Sequence, residues 1–164
     1  MTSTSPRTAE PATNATTGDA RVLALVGSGG DGVALLGDLL LNMAAAQGLY
    51  GVMVQSYGPQ IRGGESAVVL RLSRTEVQYE GDDADVLLCF RSSDLRRFQG
   101  AMKLHAQSPV ILEEADQGEL PAWLGASAER ITRFPFARFE SGAEVAGEPK
   151  NMKALALLVR MLGW

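Results

Sequence analysis

An apolar strand that runs straight into a glycine-rich turn and an apolar helix constrains this fold more than any other feature. Residues 22–26 are all aliphatic, and such an uninterrupted run is typical of a strand buried on both faces of a sheet. Residues 27–32 follow with the spacing G-x-G-x-x-G. Residues 31–47 are predicted to form a helix that ends at Gly48, since glycine favours the left-handed conformation found there. This order predicts a Rossmann-like first β-turn-α unit.

The rest of the chain alternates apolar stretches with helical patterns. The predicted strands lie at residues 51–56, 67–72, 76–79, 86–90, 110–112 and 131–136, and the predicted helices lie at residues 93–106 and 150–162. The neighbouring strands at 67–72 and 76–79 predict a hairpin. We therefore expect a three-layer α/β/α fold with a mostly parallel but mixed sheet. The helix at 31–47 is apolar nearly all round, so we expect it to be covered on both sides.

The chain divides into a tail and one domain. Residues 1–19 have no aromatic residue and no aliphatic residue beyond Met1 and alanines, so they offer almost nothing to bury and are predicted to be disordered. Residues 20–164 are predicted to form a single α/β domain. The tail has no apolar core typical of a secretory signal, and no apolar run approaches the roughly 20 residues of a membrane span. We expect a cytoplasmic protein with no membrane partner.

Composition excludes several kinds of chemistry for the chain alone. It has one cysteine, Cys89, and one histidine, His105. One thiolate cannot hold an iron–sulfur cluster, and the two residues together fall short of a closed zinc site. We interpret Cys89 as a core residue and His105 as a residue in the last turn of a helix. The net charge is −4, from 15 Lys and Arg against 19 Asp and Glu, so no nucleic-acid partner is expected.

The glycine turn is the first candidate site. Its residues Gly27, Ser28, Gly29, Gly30 and Gly32 open a predicted helix, and helix N-termini bind phosphates through unpaired N–H groups. Two residues, one in the turn and one at the end of the next strand, argue against a bound dinucleotide. The Asp31 carboxylate repels a phosphate, and Gln55 stands where an acid should bind the ribose. A turn that needs only the backbone freedom of glycine remains the alternative.

The same turn contains the tripeptide Gly-Asp-Gly, a sequence that thiamine-diphosphate sites also show. Such sites follow it with paired asparagines that hold magnesium. The asparagines here, at positions 14, 42 and 151, are isolated from one another. We therefore expect that the chain alone does not bind thiamine diphosphate in that way.

A second candidate site follows the next strand, in the sequence Q-S-Y-G-P-Q-I-R-G-G-E-S of residues 55–66. It combines the hydroxyl of Tyr57 with Arg62, whose approach is left open by Gly63 and Gly64. Loops at the carboxyl ends of strands are where α/β sheets bind ligands, and arginine suits a phosphate or a carboxylate. A surface turn with a solvated arginine is the alternative.

The two motifs in this order resemble one family, the gamma subunit or gamma domain of the 2-oxoacid:ferredoxin oxidoreductases. The resemblance is strong over residues 22–73 and continues faintly at 85–89 and at Asn151-Met152. This chain departs from the family at Asp31, where glutamine is usual. The resemblance implies a share in CoA-dependent oxidative decarboxylation of a 2-oxoacid of the pyruvate or 2-oxoglutarate type, with electrons passed to ferredoxin.

In that family thiamine diphosphate, magnesium and iron–sulfur clusters sit mainly on other domains. The resemblance therefore implies alpha and beta subunits as partners, coenzyme A near Gly27–Gly32 and the loop of Tyr57, Arg62, Gly63 and Gly64, and an isolated chain without activity. It leaves open a free gamma subunit or the leading part of a gamma–alpha fusion. A dinucleotide-binding module and a purely structural assembly subunit remain as alternatives.

One surface feature bears on the same question. Arg91, Arg96, Arg97 and Lys103 cluster around the helix predicted at residues 93–106. We interpret them as a solvated face, with an acidic partner or the phosphates of coenzyme A as the alternative.

Overall fold

The computed structural model describes residues 20–58, 64–81, 83–137, 139–140, 143–144 and 149–164. The predictions for the tail, residues 1–19, and for Arg62 and Gly63 fall outside these residues. The strands are β1 (Ala20–Ser28), β2 (Tyr50–Tyr57), β3 (Glu65–Ser73), β4 (Asp83–Ala84), β5 (Val86–Cys89), β6 (Lys103–Leu104), β7 (Val110–Glu113), β8 (Ile131–Phe134), β9 (Phe139–Glu140) and β10 (Ala143–Glu144). The α-helices are α1 (Val33–Ala46) and α2 (Lys150–Leu162), and the 3₁₀ helices are Ser92–Phe98, Ala122–Leu124 and Ala128–Arg130.

Six strands form the central sheet in the order β2-β3-β1-β5-β7-β8. Strand β1 is parallel to β5, β5 to β7 and β7 to β8, whereas β3 is antiparallel to both of its neighbours. Leu25 sits at the centre, paired with Leu88 on one side and Val68 on the other. The prediction of a mostly parallel, mixed α/β sheet is therefore confirmed.

The antiparallel hairpin that makes the sheet mixed is not the predicted one between residues 67–72 and 76–79. It joins β2 to β3 through the loop that contains the second motif, and residues 76–79 form no strand. Tyr79 instead places its ring over the guanidinium of Arg71, 4.6 Å from the ring centroid. The packing of a side chain thus replaces the backbone pairing that was expected.

One face of the sheet is covered by α1 and α2. Leu23 and Leu25 of β1 pack there with Leu36 and Leu40 of α1 and Leu158 of α2, and all five side chains are buried. Fully burying a side chain of this kind stabilises the fold by roughly 1.5–3 kcal/mol. The prediction that α1 is covered on both sides holds only in part, because its outer face leaves Leu35 51% exposed.

The other face of the sheet is covered by the 3₁₀ helices and the segments between them. Leu95 and Phe98 of the first 3₁₀ helix pack there against Ala24 and Val26. The prediction of a helix over residues 93–106 is wrong beyond Phe98, because Gly100 takes a left-handed conformation (φ +82°) and the chain returns to the short strand β6. This layer therefore contains 3₁₀ helices where the opposite layer contains α-helices.

The same error affects His105. It lies outside any helix, with its ring between two carboxylates: Nδ1 is 3.6 Å from Asp83 and Nε2 is 3.8 Å from Asp85. The interpretation of Cys89 as a core residue is confirmed, since its thiol is buried and donates to the Arg91 carbonyl at 2.9 Å. Burial raises the pKa of the Cys89 thiol well above its usual range. Of the helices described, none has the length and apolar character needed to cross a bilayer.

Candidate functional site

The two motifs singled out in the sequence line a single cleft of about 280 Å³ at the carboxyl end of β1. The described residues that line it are Ser28, Gly29, Gly30, Gly32, Val33, Ala34, Tyr57, Gly58, Gly64, Glu65 and Ser66. The two walls are joined directly, because the Gly29 N–H donates to the Gly64 carbonyl at 2.8 Å. Gly27 lies buried behind the lining, at the end of β1.

One wall of the cleft is the beginning of α1. Gly32 precedes the helix in a left-handed conformation (φ +74°), and none of the described side chains caps the helix there. The first-turn N–H groups, including those of Val33 and Ala34, have no acceptor within the helix and carry the positive end of its dipole. This wall offers hydrogen-bond donors and positive potential to an anion.

Asp31 does not face the cleft, contrary to the expectation that it repels a phosphate. Its side chain is buried, and its Oδ2 accepts the Ser28 backbone N–H at 2.7 Å. Its Oδ1 lies 2.6 Å from Lys150 Nζ at the start of α2. The negative charge is therefore compensated within the fold, and the carboxylate stabilises the glycine turn.

Lys150 is a residue of the site that sequence reasoning missed. It is only 8% exposed although lysine is seldom buried without a partner. A lysine at the first position of a helix also opposes the helix dipole. That conflict is the signal in the sequence that points to a compensating carboxylate elsewhere.

The hydroxyl of Ser28 is held by Asp94, a second residue that sequence reasoning missed. Ser28 Oγ donates to Asp94 Oδ2 at 2.8 Å, and Ser93 Oγ donates to Oδ1 at 3.3 Å. Burial raises the pKa of Asp94, and these two hydroxyls act in the opposite direction. The contact fixes the first 3₁₀ helix against the glycine turn, so the helix forms part of the surroundings of the cleft.

Asp116 holds the beginning of the same 3₁₀ helix, at Ser92. It accepts hydrogen bonds from the backbone N–H and hydroxyl of Ser92 and from the Gly118 N–H at 2.9 Å. Burial alone would raise the pKa of Asp116, but these donors outweigh it and the pKa lies below its usual range.

No three His, Cys, Asp or Glu side chains in the described part of the chain are grouped to hold a metal ion.

The second wall of the cleft is the β2–β3 hairpin. Tyr57 is 66% exposed at the end of β2, and its hydroxyl donates to the side-chain oxygen of Gln55. Ser66 Oγ donates to the Gly27 carbonyl at 3.3 Å, which ties β3 to the glycine turn. Gln55 thus orients the ring of Tyr57, and the end of β2 has no acidic side chain that could bind a ribose.

Comparison with known proteins places this geometry in a family. The sequence model of the family described as pyruvate ferredoxin/flavodoxin oxidoreductase matches residues 22–164. The 2-oxoglutarate synthase subunit KorC of Archaeoglobus fulgidus is 31% identical over 142 residues, which cover 85% of this chain and 69% of that protein. The protein of the same name from Methanothermobacter thermautotrophicus is 31% identical over 117 residues, covering 70% of this chain and 61% of that protein.

Solved structures share the fold. The gamma subunit of a keto/oxoacid ferredoxin oxidoreductase from Geobacter sulfurreducens superposes with a TM-score of 0.66 at 23% identity, covering 88% of this chain and 77% of that one. The 2-oxoglutarate:ferredoxin oxidoreductase of Magnetococcus marinus, solved with 2-oxoglutarate, coenzyme A and succinyl-CoA bound, gives 0.59 at 19% identity. That match covers 72% of this chain and 20% of the Magnetococcus chain. The chain belongs to the pyruvate ferredoxin/flavodoxin oxidoreductase family, which confirms the resemblance that its two motifs indicated.

Proposed function

We propose that this chain is the gamma subunit, or gamma domain, of a 2-oxoacid:ferredoxin oxidoreductase, and that its cleft binds the phosphate-bearing part of coenzyme A. The single observation that supports the proposal most is that the glycine turn and the β2–β3 loop line one cleft. The relatives named as 2-oxoglutarate synthase subunits favour 2-oxoglutarate over pyruvate as the substrate of the complex.

The residues of the cleft fit one phosphate group of coenzyme A. The N–H groups at the start of α1 suit a phosphate oxygen, and glycines at positions 29, 30 and 32 let the backbone approach it closely. The volume of about 280 Å³ lies just below the roughly 300–1,000 Å³ usual for small-molecule sites. We therefore expect the cleft to hold part of coenzyme A, with the remainder extending towards partner subunits.

In this proposal the chain binds and orients coenzyme A, and other subunits supply the oxidative decarboxylation. Thiamine diphosphate, magnesium and iron–sulfur clusters are proposed to be held by the alpha and beta subunits, and ferredoxin to receive the electrons from the complex. The one cysteine of the chain, Cys89, has a buried thiol, which supports that division of labour. The cytoplasm is the proposed location.

Co-expression with alpha and beta subunits tests the proposal. We expect a stoichiometric complex that reduces ferredoxin with 2-oxoglutarate and coenzyme A, and that binds coenzyme A in calorimetry. We expect the isolated chain to lack turnover, visible iron–sulfur absorption and bound thiamine diphosphate. A complex that forms and turns over, yet binds coenzyme A equally well when Ser28 and Gly30 are replaced, would favour the purely structural role.

Arg62 gives a sharper test, although it lies between the described residues of the loop. Gly58 and Gly64, on either side of residues 59–63, both line the cleft. We expect Arg62→Ala to weaken coenzyme A binding by the assembled complex by at least about tenfold, or about 1.4 kcal/mol, because arginine pairs with anions through two parallel hydrogen bonds. Arg21→Ala, at the far end of β1, is the matched control and should leave the affinity unchanged.

Subunit stoichiometry, measured in parallel, separates the two roles of Arg62. Lost affinity with intact stoichiometry indicates a contact with coenzyme A. Lost assembly indicates a subunit interface, and wild-type values of both contradict any role for the arginine in the complex.

A further inference from the structure

The cleft proposed to bind an anion contains a carboxylate. Glu65, at the start of β3, is the one residue with a charged side chain among the described residues that line it. Its carboxylate lies against Gly58, where Oε2 leaves no room for a Cβ atom. The Gly58 N–H also donates to the Glu65 carbonyl at 2.6 Å. The Glu65 carboxylate is therefore held beside Gly58, which also lines the cleft.

An arginine from another element faces that carboxylate. Arg97 Nε lies 3.9 Å from Glu65 Oε2, and the side chains are 47% and 30% exposed. Arg97 is carried by the 3₁₀ helix Ser92–Phe98, which Asp94 fixes against Ser28 of the glycine turn. The backbone that carries Arg97 is thus positioned relative to the cleft by a contact that does not involve Glu65.

The Arg97 guanidinium can pair with Glu65 and still contact a ligand. The guanidinium has five N–H donors, and among the described residues only Glu65 pairs with it. Its terminal nitrogens can contact a third group while Nε remains beside Glu65. Without Arg97, the side chains of the described residues that line the cleft would carry the uncompensated negative charge of Glu65.

We propose that the Glu65–Arg97 pair sets the charge preference of the cleft, with Arg97 favouring and Glu65 opposing the entry of an anionic ligand. The inference rests on the proposed function and adds to it two specificity-determining residues. It revises the interpretation of Arg97 as part of a solvated face. Arg97 acts at the rim of the cleft, where it offsets the carboxylate and attracts the phosphates of coenzyme A.

Opposite effects of two neutralising variants test the proposal in the assembled complex. Arg97→Gln is expected to weaken coenzyme A binding by roughly fivefold and Glu65→Gln to strengthen it by roughly threefold, as expected for unit charges near a partly exposed anion. The double variant should lie between them. All these differences should shrink below about twofold at 0.5 M salt, where screening is stronger. Calorimetry at low and high salt measures the affinities.

Two distant residues provide charge-matched controls. Arg21→Gln changes an exposed arginine seven residues before Ser28 on β1, about 23 Å away at the rise of a strand. Glu129→Gln changes an exposed acid that precedes the amino end of β8. Both should leave the affinity for coenzyme A within twofold of the wild type. Thermal melting confirms folding, since both members of the Glu65–Arg97 pair are partly exposed.

The outcomes separate this inference from the proposed function. If wild-type complex binds no coenzyme A, the proposed site is wrong and the inference with it. If the wild type binds but Arg97→Gln and Glu65→Gln both stay within twofold of it, only the inference is overturned. Weaker binding by Glu65→Gln would also overturn it, because the carboxylate would then accept a hydrogen bond from the ligand.

Discussion

Lys150→Met is expected to destabilise the protein by about 3–5 kcal/mol, because it leaves the buried carboxylate of Asp31 without its ion-pair partner. The two side chains belong to residues that are 8% and 4% exposed, and Nζ lies 2.6 Å from Oδ1. Methionine keeps an unbranched apolar side chain and removes the ammonium group, whose Nζ lies 5.7 Å from the centroid of the Phe90 ring. Urea unfolding followed by circular dichroism measures the change in the free energy of unfolding.

The double variant Asp31→Asn with Lys150→Met is the decisive control. Removing both charges of a buried pair is often neutral, whereas removing one leaves an uncompensated charge. The double variant should therefore recover most of the loss, to within about 1 kcal/mol of the wild type. A loss of less than about 1 kcal/mol in the single variant would show that the Asp31 carboxylate does not depend on Lys150 to compensate its charge.

This ion pair also explains why local sequence reasoning misjudged Asp31. Judged by its neighbours, the carboxylate stands at a helix N-terminus in a glycine turn, where it would face any bound phosphate. The structure turns it inward because Lys150, at the other end of the chain, supplies the opposite charge. The sequence shows both residues but not their proximity, since a contact between distant residues has no periodic signal.

Elements with strong local signals were predicted well. Strand β1 and helix α2 were placed within two residues of their observed ends, and the left-handed Gly48 follows α1 as predicted. The apolar runs and the glycine positions are sufficient for this, because they act within the element itself. Joining the two motifs in one cleft was also predictable, since both follow strand ends at the same edge of the sheet.

Elements whose structure depends on packing were predicted less well. The polar side chains after Ser92 suit a 3₁₀ helix held by Asp94 and Asp116 as well as an α-helix, and only tertiary contacts decide between them. The pairing of Glu65 with Arg97 depends on the same placement of that helix. The β2–β3 hairpin was missed because the loop between its strands was interpreted only as a binding motif.

The contact between α2 and the glycine turn leads to the second large effect, which concerns Gly32. Gly32→Ala is expected to destabilise the protein by about 2–5 kcal/mol. A left-handed backbone costs an alanine roughly 1–2 kcal/mol, and overpacking costs roughly 1–3 kcal/mol. Gly32 has φ +74°, and an added Cβ would lie 2.5 Å from Nδ2 and 3.0 Å from Cγ of Asn151. Coenzyme A binding by the complex should fall as well, because the N–H groups at the start of α1 shift with the turn.

A second glycine isolates the two causes. Gly48 has almost the same φ, +76°, but an added Cβ there meets no atom within 4 Å. Gly48→Ala should therefore show only the backbone cost of roughly 1–2 kcal/mol and leave coenzyme A binding unchanged. Adding Asn151→Ala to Gly32→Ala should bring the loss back towards that value, because it removes the contacts with the Asn151 amide. Equal losses for Gly32→Ala and Gly48→Ala would mean that Asn151 of α2 does not pack tightly against the glycine turn. The Lys150–Asp31 ion pair would then be the contact that joins α2 to the turn.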